Sequence, residues 1–212
     1  PEMAANQTDI RDSVKIDESV HISVVLDNID SNFVFETVIE NLVFPLENLN
    51  IDKNEMDIRL KEITDYLNLT DLLDYNISSL SGGEKEIIAL ASALITKPSL
   101  LILDESFIML DYIQKEKMMK LLKKINRELK TTIIYLTSDI ESAIYSKDLA
   151  ILSNKKILTK GPIKEVLKEE KLFKQINQKL PFMADLSNRL KYYDLINEII
   201  LNENKMVDAL WK

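Results

Sequence analysis

The stretch that decides the fold is LSGGE at residues 80–84, together with LLILDE at residues 100–105. Two of the three glycines in the chain, Gly82 and Gly83, stand in the first motif. A Ser-Gly-Gly turn that opens a helix presents bare backbone N–H groups, and these groups bind anions such as phosphate. An apolar strand that ends in two acids places a metal ligand and a general base at the carboxyl edge of a parallel sheet. Together the two motifs predict a phosphate site on an α/β fold.

Each motif also has an ordinary structural explanation. Ser81 and Glu84 have the spacing of a capping box, which only closes the start of a helix. That box does not account for the glycines, because glycine weakens the first turn of a helix unless the backbone must approach something closely. Asp104 and Glu105 follow an apolar strand, and strands often end in acids. The spacing between the two motifs, rather than either one alone, makes the prediction specific.

Composition limits the classes of protein to which the chain can belong. Its 212 residues are enough for one large domain, or for a domain with a helical insert. The absence of cysteine excludes disulfides and thiolate metal sites. The 27 basic and 35 acidic residues give a net charge of −8, which disfavours non-specific binding to nucleic acid. The longest apolar runs have the length of a strand, so no membrane-spanning segment is predicted.

Hydrophobic periodicity predicts strands that alternate with helices, as in a parallel α/β core. The predicted strands are residues 21–26, 100–103, 131–137, 149–152 and 156–159. We expect the strand at 100–103 to be buried on both faces. The predicted helical regions are an insert at 33–80 broken by Pro45, a helix at 82–96 capped by Ser81, an amphipathic helix at 111–130 with Ile113 inward, a short helix at 139–145, and most of 163–212.

The segment from residue 77 to residue 111 resembles, without a gap, the signature-to-Walker-B segment of ABC-type ATPases. This resemblance implies a P-loop NTPase core of α/β class, with a parallel sheet, a helical subdomain insert and a helical C-terminal extension. It also implies ATP and Mg²⁺ as cofactors. In such a protein Asp104 would coordinate Mg²⁺ and Glu105 would be the general base.

The resemblance implies that the signature residues serve a nucleotide on another subunit. ABC ATPases work as head-to-tail dimers, in which each nucleotide is completed by the signature of the opposite subunit. Ser81, Gly82 and Gly83, together with Glu84, would therefore contact the γ-phosphate of the partner's ATP. Asp111 stands in the D-loop position and would mediate communication across the dimer.

Further segments are similar to the energy-coupling-factor ATPases, which are the ATP-binding subunits of vitamin and cobalt/nickel importers. Residues 24–48 resemble their Q-loop and following helix, and Pro1-Glu2 stands at the end of the helix that follows the P-loop. Residues 155–166 and 180–182 resemble the late strand and helix and the Leu-Pro segment of the extension. The implied domains are an N-terminal core remnant at 1–32, a helical subdomain at 33–80, a catalytic core at 81–161 and the extension at 162–212. The chain contains no G-x-x-x-x-G-K-[ST], and we expect that portion to lie upstream, in a longer gene product.

The sequence departs from the family pattern at residues that would act on this chain's own nucleotide. Asp27 stands at the Q-loop glutamine position, Ser138 at the switch histidine and Ile108 at the D-loop serine. The single histidine, His21, lies on the early strand and is expected to be a solvated strand residue. Loss of the switch histidine removes a contact to the γ-phosphate, and such contacts are commonly worth several kcal/mol of barrier. We therefore expect a degenerate site, and whether the chain is an active enzyme stays open.

The resemblance also implies partners and a location. A second ABC ATPase subunit would complete the dimer, and a transmembrane coupling subunit would insert helices against residues 33–60. The chain would then lie in the cytoplasm, peripherally on the cell membrane. Two alternatives remain: a pseudo-ATPase that binds ATP without turnover, and a soluble ABC protein that works without a transporter.

Overall fold

The computed structural model describes residues 20–107 and 109–211. The predictions for residues 1–19 and for Ile108 lie outside these described residues. The chain divides into two compact units. The first comprises the described residues up to Met109 together with Asn126–Tyr135, and the second comprises Leu110–Ile125 together with the described residues from Leu136 onward.

The first unit contains a three-stranded sheet in the order β1-β2-β3. Strand β1 (Ile22–Val25) runs parallel to β2 (Leu100–Asp104), and β3 (Thr132–Leu136) lies on the other side of β2. The parallel α/β core predicted from the sequence is confirmed. Since β1 and β2 run in the same direction, the segments that follow them leave from the same edge of the sheet.

Burial of this sheet differs from the prediction. Leu101 and Leu103 are fully buried, whereas the residues that alternate with them on β2 are only partly buried. Val24 and Ile134, on the neighbouring strands, are 48% and 45% exposed. Successive side chains of a strand point to opposite faces, so the described helices cover one face of β2 well and the other incompletely. The expectation that β2 is buried on both faces was therefore wrong for the described residues.

Three helices complete the first unit, as expected for a helical insert followed by a capped helix. They are α1 (Val38–Asn48), α2 (Lys53–Leu67) and α3 (Gly82–Leu94). A short 3₁₀ turn at Ile29–Asn32 precedes α1, and two more at Thr70–Leu72 and Ile77–Ser79 connect α2 to α3. Helix α3 packs against α1, α2 and β1. Its residues Ile88, Leu90 and Leu94 are almost completely buried.

Pro45 does not break the first helix of the insert, contrary to prediction. Helix α1 continues through it to Asn48. Proline lacks the N–H that would bond to the carbonyl four residues earlier, which here is the carbonyl of Asn41. That carbonyl instead accepts a hydrogen bond from the hydroxyl of Ser92 on α3 at 3.0 Å. The freed backbone acceptor is thus satisfied by a neighbouring helix, and α1 stays intact.

The second unit is built from helix α4, a β-hairpin and four shorter helices. The hairpin pairs β4 (Asp148–Ser153) antiparallel with β5 (Lys156–Pro162). The helices are α4 (Tyr112–Glu128, whose last residues belong to the first unit), α5 (Ile163–Val166), α6 (Glu170–Gln175), α7 (Phe182–Tyr192) and α8 (Glu203–Leu210). Val166, Leu167 and Phe173 form the centre of its core. None of the helices in the described ranges is long and apolar enough to cross a bilayer.

In this unit one local prediction was wrong and another, the short helix at 139–145, was confirmed. Ile113 was expected to face inward, but it is 63% exposed. It lies nine residues before the buried Leu122, or two and a half turns at 3.6 residues per turn, which places it on the opposite side of α4. The short helix predicted at 139–145 is a 3₁₀ helix over Ile140–Tyr145.

Asn41 organises the loop that leads from the sheet into the helical insert. Its side chain is 4% exposed and makes four hydrogen bonds to backbone. The side-chain oxygen accepts from the N–H groups of Val34 at 2.8 Å and Phe35 at 3.1 Å. The side-chain nitrogen donates to the carbonyls of Phe35 at 2.9 Å and Thr37 at 2.7 Å. One amide side chain therefore fixes the entry of α1.

Replacing Asn41 with alanine should remove all four bonds and leave these partly buried backbone groups without their partner. We expect Asn41→Ala to lower the free energy of unfolding by roughly 2–3 kcal/mol, measured by urea denaturation. Asn48→Ala, at an exposed position of the same helix, is the matched control and should change stability by less than about 0.5 kcal/mol. Equal effects of the two substitutions would contradict this role for Asn41.

Candidate functional site

The start of α3 is closed by a capping box between Ser81 and Glu84, as predicted. The hydroxyl of Ser81 accepts from the backbone N–H of Glu84 at 3.3 Å. The carboxylate of Glu84 accepts from the backbone N–H of Ser81 at 2.8 Å and from its hydroxyl at 2.6 Å. These bonds from the hydroxyl and the backbone of Ser81 lower the pKa of Glu84 below 4.5. The Ser81 hydroxyl thus donates to Glu84, and it must turn outward before it can donate to a phosphate.

Gly82 occupies a position where nothing in the described structure requires glycine. Its φ angle is not positive, so any residue could adopt its backbone conformation. A Cβ atom added at Gly82 would lie 3.4 Å from the Cβ of Met109 and 3.5 Å from its Cγ, which are ordinary contact distances. Alanine would form this helical turn more favourably than glycine. Neither strain nor internal crowding accounts for the glycine at this position.

Asp104 and Glu105 lie where β2 ends, and both are partly buried. The chain then turns sharply, with positive φ angles of 43° at Glu105 and 69° at Phe107. The ring of Phe107 is completely buried, with its centroid 6.2 Å from that of Tyr135. The hydroxyl of Tyr135 donates to the carbonyl of Ser106 at 2.7 Å. Burial and this bond hold a left-handed backbone that non-glycine residues otherwise avoid.

The acids at the end of β2 fit a magnesium ion that arrives with a nucleotide. Among residues 20–107 and 109–211, no three His, Cys, Asp or Glu side chains come together as a metal site. Asp104 and Glu105 could therefore supply at most two carboxylate ligands. Mg²⁺ in phosphate-transfer sites is held by one or two carboxylates, with phosphate oxygens and water as its other ligands. The donor set is thus compatible with Mg²⁺ bound together with ATP.

The first unit brings the segments after β1 and β2 to the start of α3. The ammonium group of Lys85 lies 2.7 Å from the carboxylate of Asp30, in the segment that follows β1. The carboxylate of Glu86 accepts from the backbone N–H of Met109, in the segment that follows β2, at 3.3 Å. Lys85, Asp30 and Glu86 could not be singled out from sequence patterns, because their partners lie far away along the chain.

Asp27 lies in the same segment as Asp30 and is exposed. Its carboxylate accepts from the backbone N–H of Asn28 at 2.7 Å. The segment is closed by the side chain of Asn32, which donates to the carbonyls of Leu26, Asn28 and Ile29 and accepts from the N–H of Leu26. Asp27 therefore lies in an ordered turn next to β1.

Asp111 and Ser138 belong to the second unit. The carboxylate of Asp111 accepts from the N–H of Gln114 at 2.8 Å, so this residue caps α4. Ser138 is exposed and stands between Thr137 and Asp139. The carboxylate of Asp139 lies 3.0 Å from the ammonium group of Lys115. The sequence did not reveal this ion pair beside the predicted switch position.

Comparison with known proteins identifies the family. A family model described as ABC transporter matches residues 2–108. The chain belongs to the ABC transporter family. Among its relatives are the energy-coupling factor transporter ATP-binding proteins EcfA1 of Lactobacillus delbrueckii subsp. bulgaricus and of Bacillus subtilis. The first is 32% identical over 192 residues, or 90% of this chain and 68% of the relative, and the second is 31% identical over 191 residues with the same coverage.

Solved structures of this family support the same assignment. CbiO1 from Clostridium perfringens, described as part of the ABC transporter complex cbiONQ, has 28% identity and a TM-score of 0.66 over 78% of this chain and 66% of that one. The ATP-binding cassette MJ0796, solved as a dimer bound to ADP and phosphate, has 26% identity and a TM-score of 0.60 over 68% of this chain and 63% of that one. The ABC ATPase fold predicted from the sequence is confirmed. By homology the chain is an ABC ATPase component of the energy-coupling-factor type, and it spans about two thirds of the length of these relatives.

The lowered pKa of Glu84 makes the stability of the α3 cap depend on pH. Because the folded-state pKa lies below 4.5, the stabilisation is fully present above about pH 4.5 and is lost as the pH falls through the lower value. Glu84→Gln keeps a neutral hydrogen-bonding group at the helix start but removes the charge. We expect it to cost about 0.5 kcal/mol at pH 7 and almost nothing near pH 3, by urea denaturation.

Glu47→Gln is the matched control for this experiment. Glu47 is exposed and lies near the C-terminal end of α1, where a negative charge is unfavourable. Its removal should therefore not destabilise the protein at pH 7. A loss at Glu84→Gln that was equally large at pH 3 would show that the charge is not responsible.

Proposed function

We propose that the start of α3 in this chain contacts ATP that is bound by a second ABC ATPase subunit. In this proposal the backbone N–H groups of Gly82 and Gly83 and the hydroxyl of Ser81 donate to the γ-phosphate of the partner's nucleotide. The assembly energises uptake of a vitamin or a metal ion through a transmembrane subunit. The relatives named energy-coupling factor transporter ATP-binding proteins support this assignment.

The observation that carries the proposal is the unexplained glycine at position 82. The described structure would accept an alanine there without strain and with ordinary contacts to Met109. A helix start that retains glycine at a cost in helix stability is one whose backbone is approached closely by another molecule. A helix N-terminus favours an anion as that molecule, because its free N–H groups and its dipole are both positive.

The chain's own residues would form a second, weaker nucleotide site. Asp104 would hold Mg²⁺, which neutralises phosphate charge when bound, and Glu105 would accept a proton from the attacking water. The neutral Ser138 at the switch position cannot supply a positively polarised N–H to the γ-phosphate, as histidine does. The acid Asp27 at the Q-loop position carries a negative charge where glutamine would be neutral. These two substitutions favour slow turnover at this site.

The helical insert would receive the transmembrane subunit. Val34, Phe35 and Ile58 are large apolar residues of this segment, and they are 67%, 40% and 52% exposed. Large apolar side chains that stay exposed in this insert are available for contact with another protein. Docking there would place the chain on the cytoplasmic side of the membrane, as a peripheral subunit.

Gly82→Ala tests the proposal because its effects on stability and on activity should have opposite signs. Alanine should leave the fold unchanged or stabilise it by up to about 0.5–1 kcal/mol, measured by thermal melting. In the assembled complex the added methyl group should block the approach of the partner's phosphate. We expect steady-state turnover of Mg-ATP to fall by about tenfold to a hundredfold, as for loss of a transition-state donor.

Ser79→Ala provides a matched control in the same complex. Ser79 is exposed and lies just before the signature, where its hydroxyl donates to the carbonyl of Asn76. It should leave turnover within about twofold of the parent. If Gly82→Ala turned over ATP at the parental rate, the proposed contact with the partner's nucleotide would be wrong.

A pseudo-ATPase is the second candidate function, and the serine at position 138 favours it. In that case the chain would bind ATP and shape the complex without hydrolysing ATP at its own site. Equilibrium binding of Mg-ATP and single-turnover hydrolysis, measured on the complex with the partner's site inactivated, separate the two candidates. Binding without turnover would identify a pseudo-ATPase, and slow turnover abolished by Glu105→Gln would identify a weak enzyme.

A further inference from the structure

We propose that Glu86 is a positioning residue. It links the start of α3 to the segment that follows β2, and both of these parts of the chain serve a nucleotide. Glu86 lies on α3, one turn after Gly82, and its carboxylate accepts the backbone N–H of Met109 at 3.3 Å. Met109 lies in the segment that follows Asp104 and Glu105. The inference rests on the proposed function, in which Gly82 serves the partner's ATP and Glu105 serves this chain's own ATP.

Two contacts of Met109 with α3 define this junction. Residues four apart on a helix lie on the same face, so Gly82 and Glu86 both face the segment that contains Met109. The backbone N–H of Met109 is held by Glu86, and its side chain lies over Gly82, where an added Cβ would be 3.4 Å away. A displacement of Met109 would therefore also displace the first turn of α3.

The other end of the segment is anchored to the sheet. Phe107 is completely buried, and the carbonyl of Ser106 accepts from the hydroxyl of Tyr135 on β3. Glu105 itself adopts a positive φ angle of 43° that these anchors hold in place. The segment after Glu105 is thus hydrogen-bonded to β3 through Ser106 and to α3 through Met109. Glu86 accepts the hydrogen bond on α3.

Stability alone does not explain a carboxylate at this position. Glu86 is 3% exposed, and burial of a carboxylate carries a large desolvation cost. Buried charged groups are often replaced by apolar residues of similar volume without loss of stability. An apolar residue would have suited this face of α3, where Leu90, one turn later, is completely buried. The carboxylate adds a hydrogen-bond acceptor that an apolar residue lacks, and the N–H of Met109 is a donor that uses it.

The two nucleotide sites of the complex would be coupled through this bond. A phosphate that contacts the start of α3 pulls on the helix, and the Glu86–Met109 bond transmits that displacement to the segment carrying Glu105. In the opposite direction, a change at Glu105 shifts Met109 over Gly82. Binding at one site should therefore alter turnover at the other by a factor that depends on Glu86.

Glu86→Gln and Glu86→Leu form the test pair. Glutamine keeps an acceptor oxygen for the N–H of Met109, whereas leucine fills the space without one. In the isolated chain, hydrogen exchange of the Met109 amide should be about tenfold faster in Glu86→Leu than in the parent and within about twofold in Glu86→Gln. Unchanged exchange in Glu86→Leu would show that Glu86 does not hold Met109.

The same variants are then measured in the assembled complex. We expect Glu86→Leu to lower kcat for ATP at least about fivefold with little change in KM, and Glu86→Gln to restore most of the rate. Thermal melting of both variants shows whether either one is unfolded, and a folded Glu86→Leu with parental kcat overturns the inference.

Gly82→Ala, measured in parallel, separates this inference from the proposed function. If it lowers turnover while Glu86→Leu does not, only the coupling role fails, whereas parental turnover in Gly82→Ala overturns the proposed function itself.

Discussion

The packing of helix α3 is the interaction on which the first unit depends. This helix contacts α1, α2 and β1, and its residues Ile88 and Leu90 are completely buried between them. Burial of this apolar surface fixes the position of the helix start relative to the sheet. The capping box then directs the N–H groups of the first turn outward, and the polar residues Lys85 and Glu86 fasten the segments after β1 and β2. The chemistry proposed for the site follows from where this one helix is held.

Local sequence patterns predicted the central elements correctly, and the reasons are physical. The capping box at residues 81–84 and the apolar run at 100–103 depend on side chains close together in the chain, so their consequences can be deduced from spacing alone. The ABC fold followed from the match of several motifs at fixed separations. The roles of Asp104, Glu105, Asp111 and Ser138 remain predictions, because they depend on a nucleotide and a partner subunit rather than on contacts within the chain.

Other features depended on contacts that spacing does not reveal. Pro45 should end a helix when considered alone, and it fails to do so because Ser92 satisfies the acceptor it leaves open. The partial exposure of Val24 and Ile134 could not be predicted, because the sequence of an apolar strand does not indicate which of its faces other elements cover. From the sequence alone, Glu86 would be assigned to the surface, because it follows two other charged residues at the start of α3. The packing of Met109 against α3 makes it a buried acceptor. The residues that sequence reasoning missed are those whose partners are distant along the chain.

The contact between α1 and α3 at Pro45 also limits the order in which the sequence can change. The Ser92 hydroxyl supplies the bond that a proline at position 45 cannot make to the carbonyl of Asn41. If an ordinary residue first replaced Pro45, its own N–H could supply that bond, and Ser92 would then be replaceable at little cost. If Ser92 changed first, α1 would carry a proline whose freed acceptor is buried beside a neighbouring helix. The effect of a substitution at position 92 therefore depends on the residue present at position 45. A substitution at position 92 is most readily accepted after position 45 has changed.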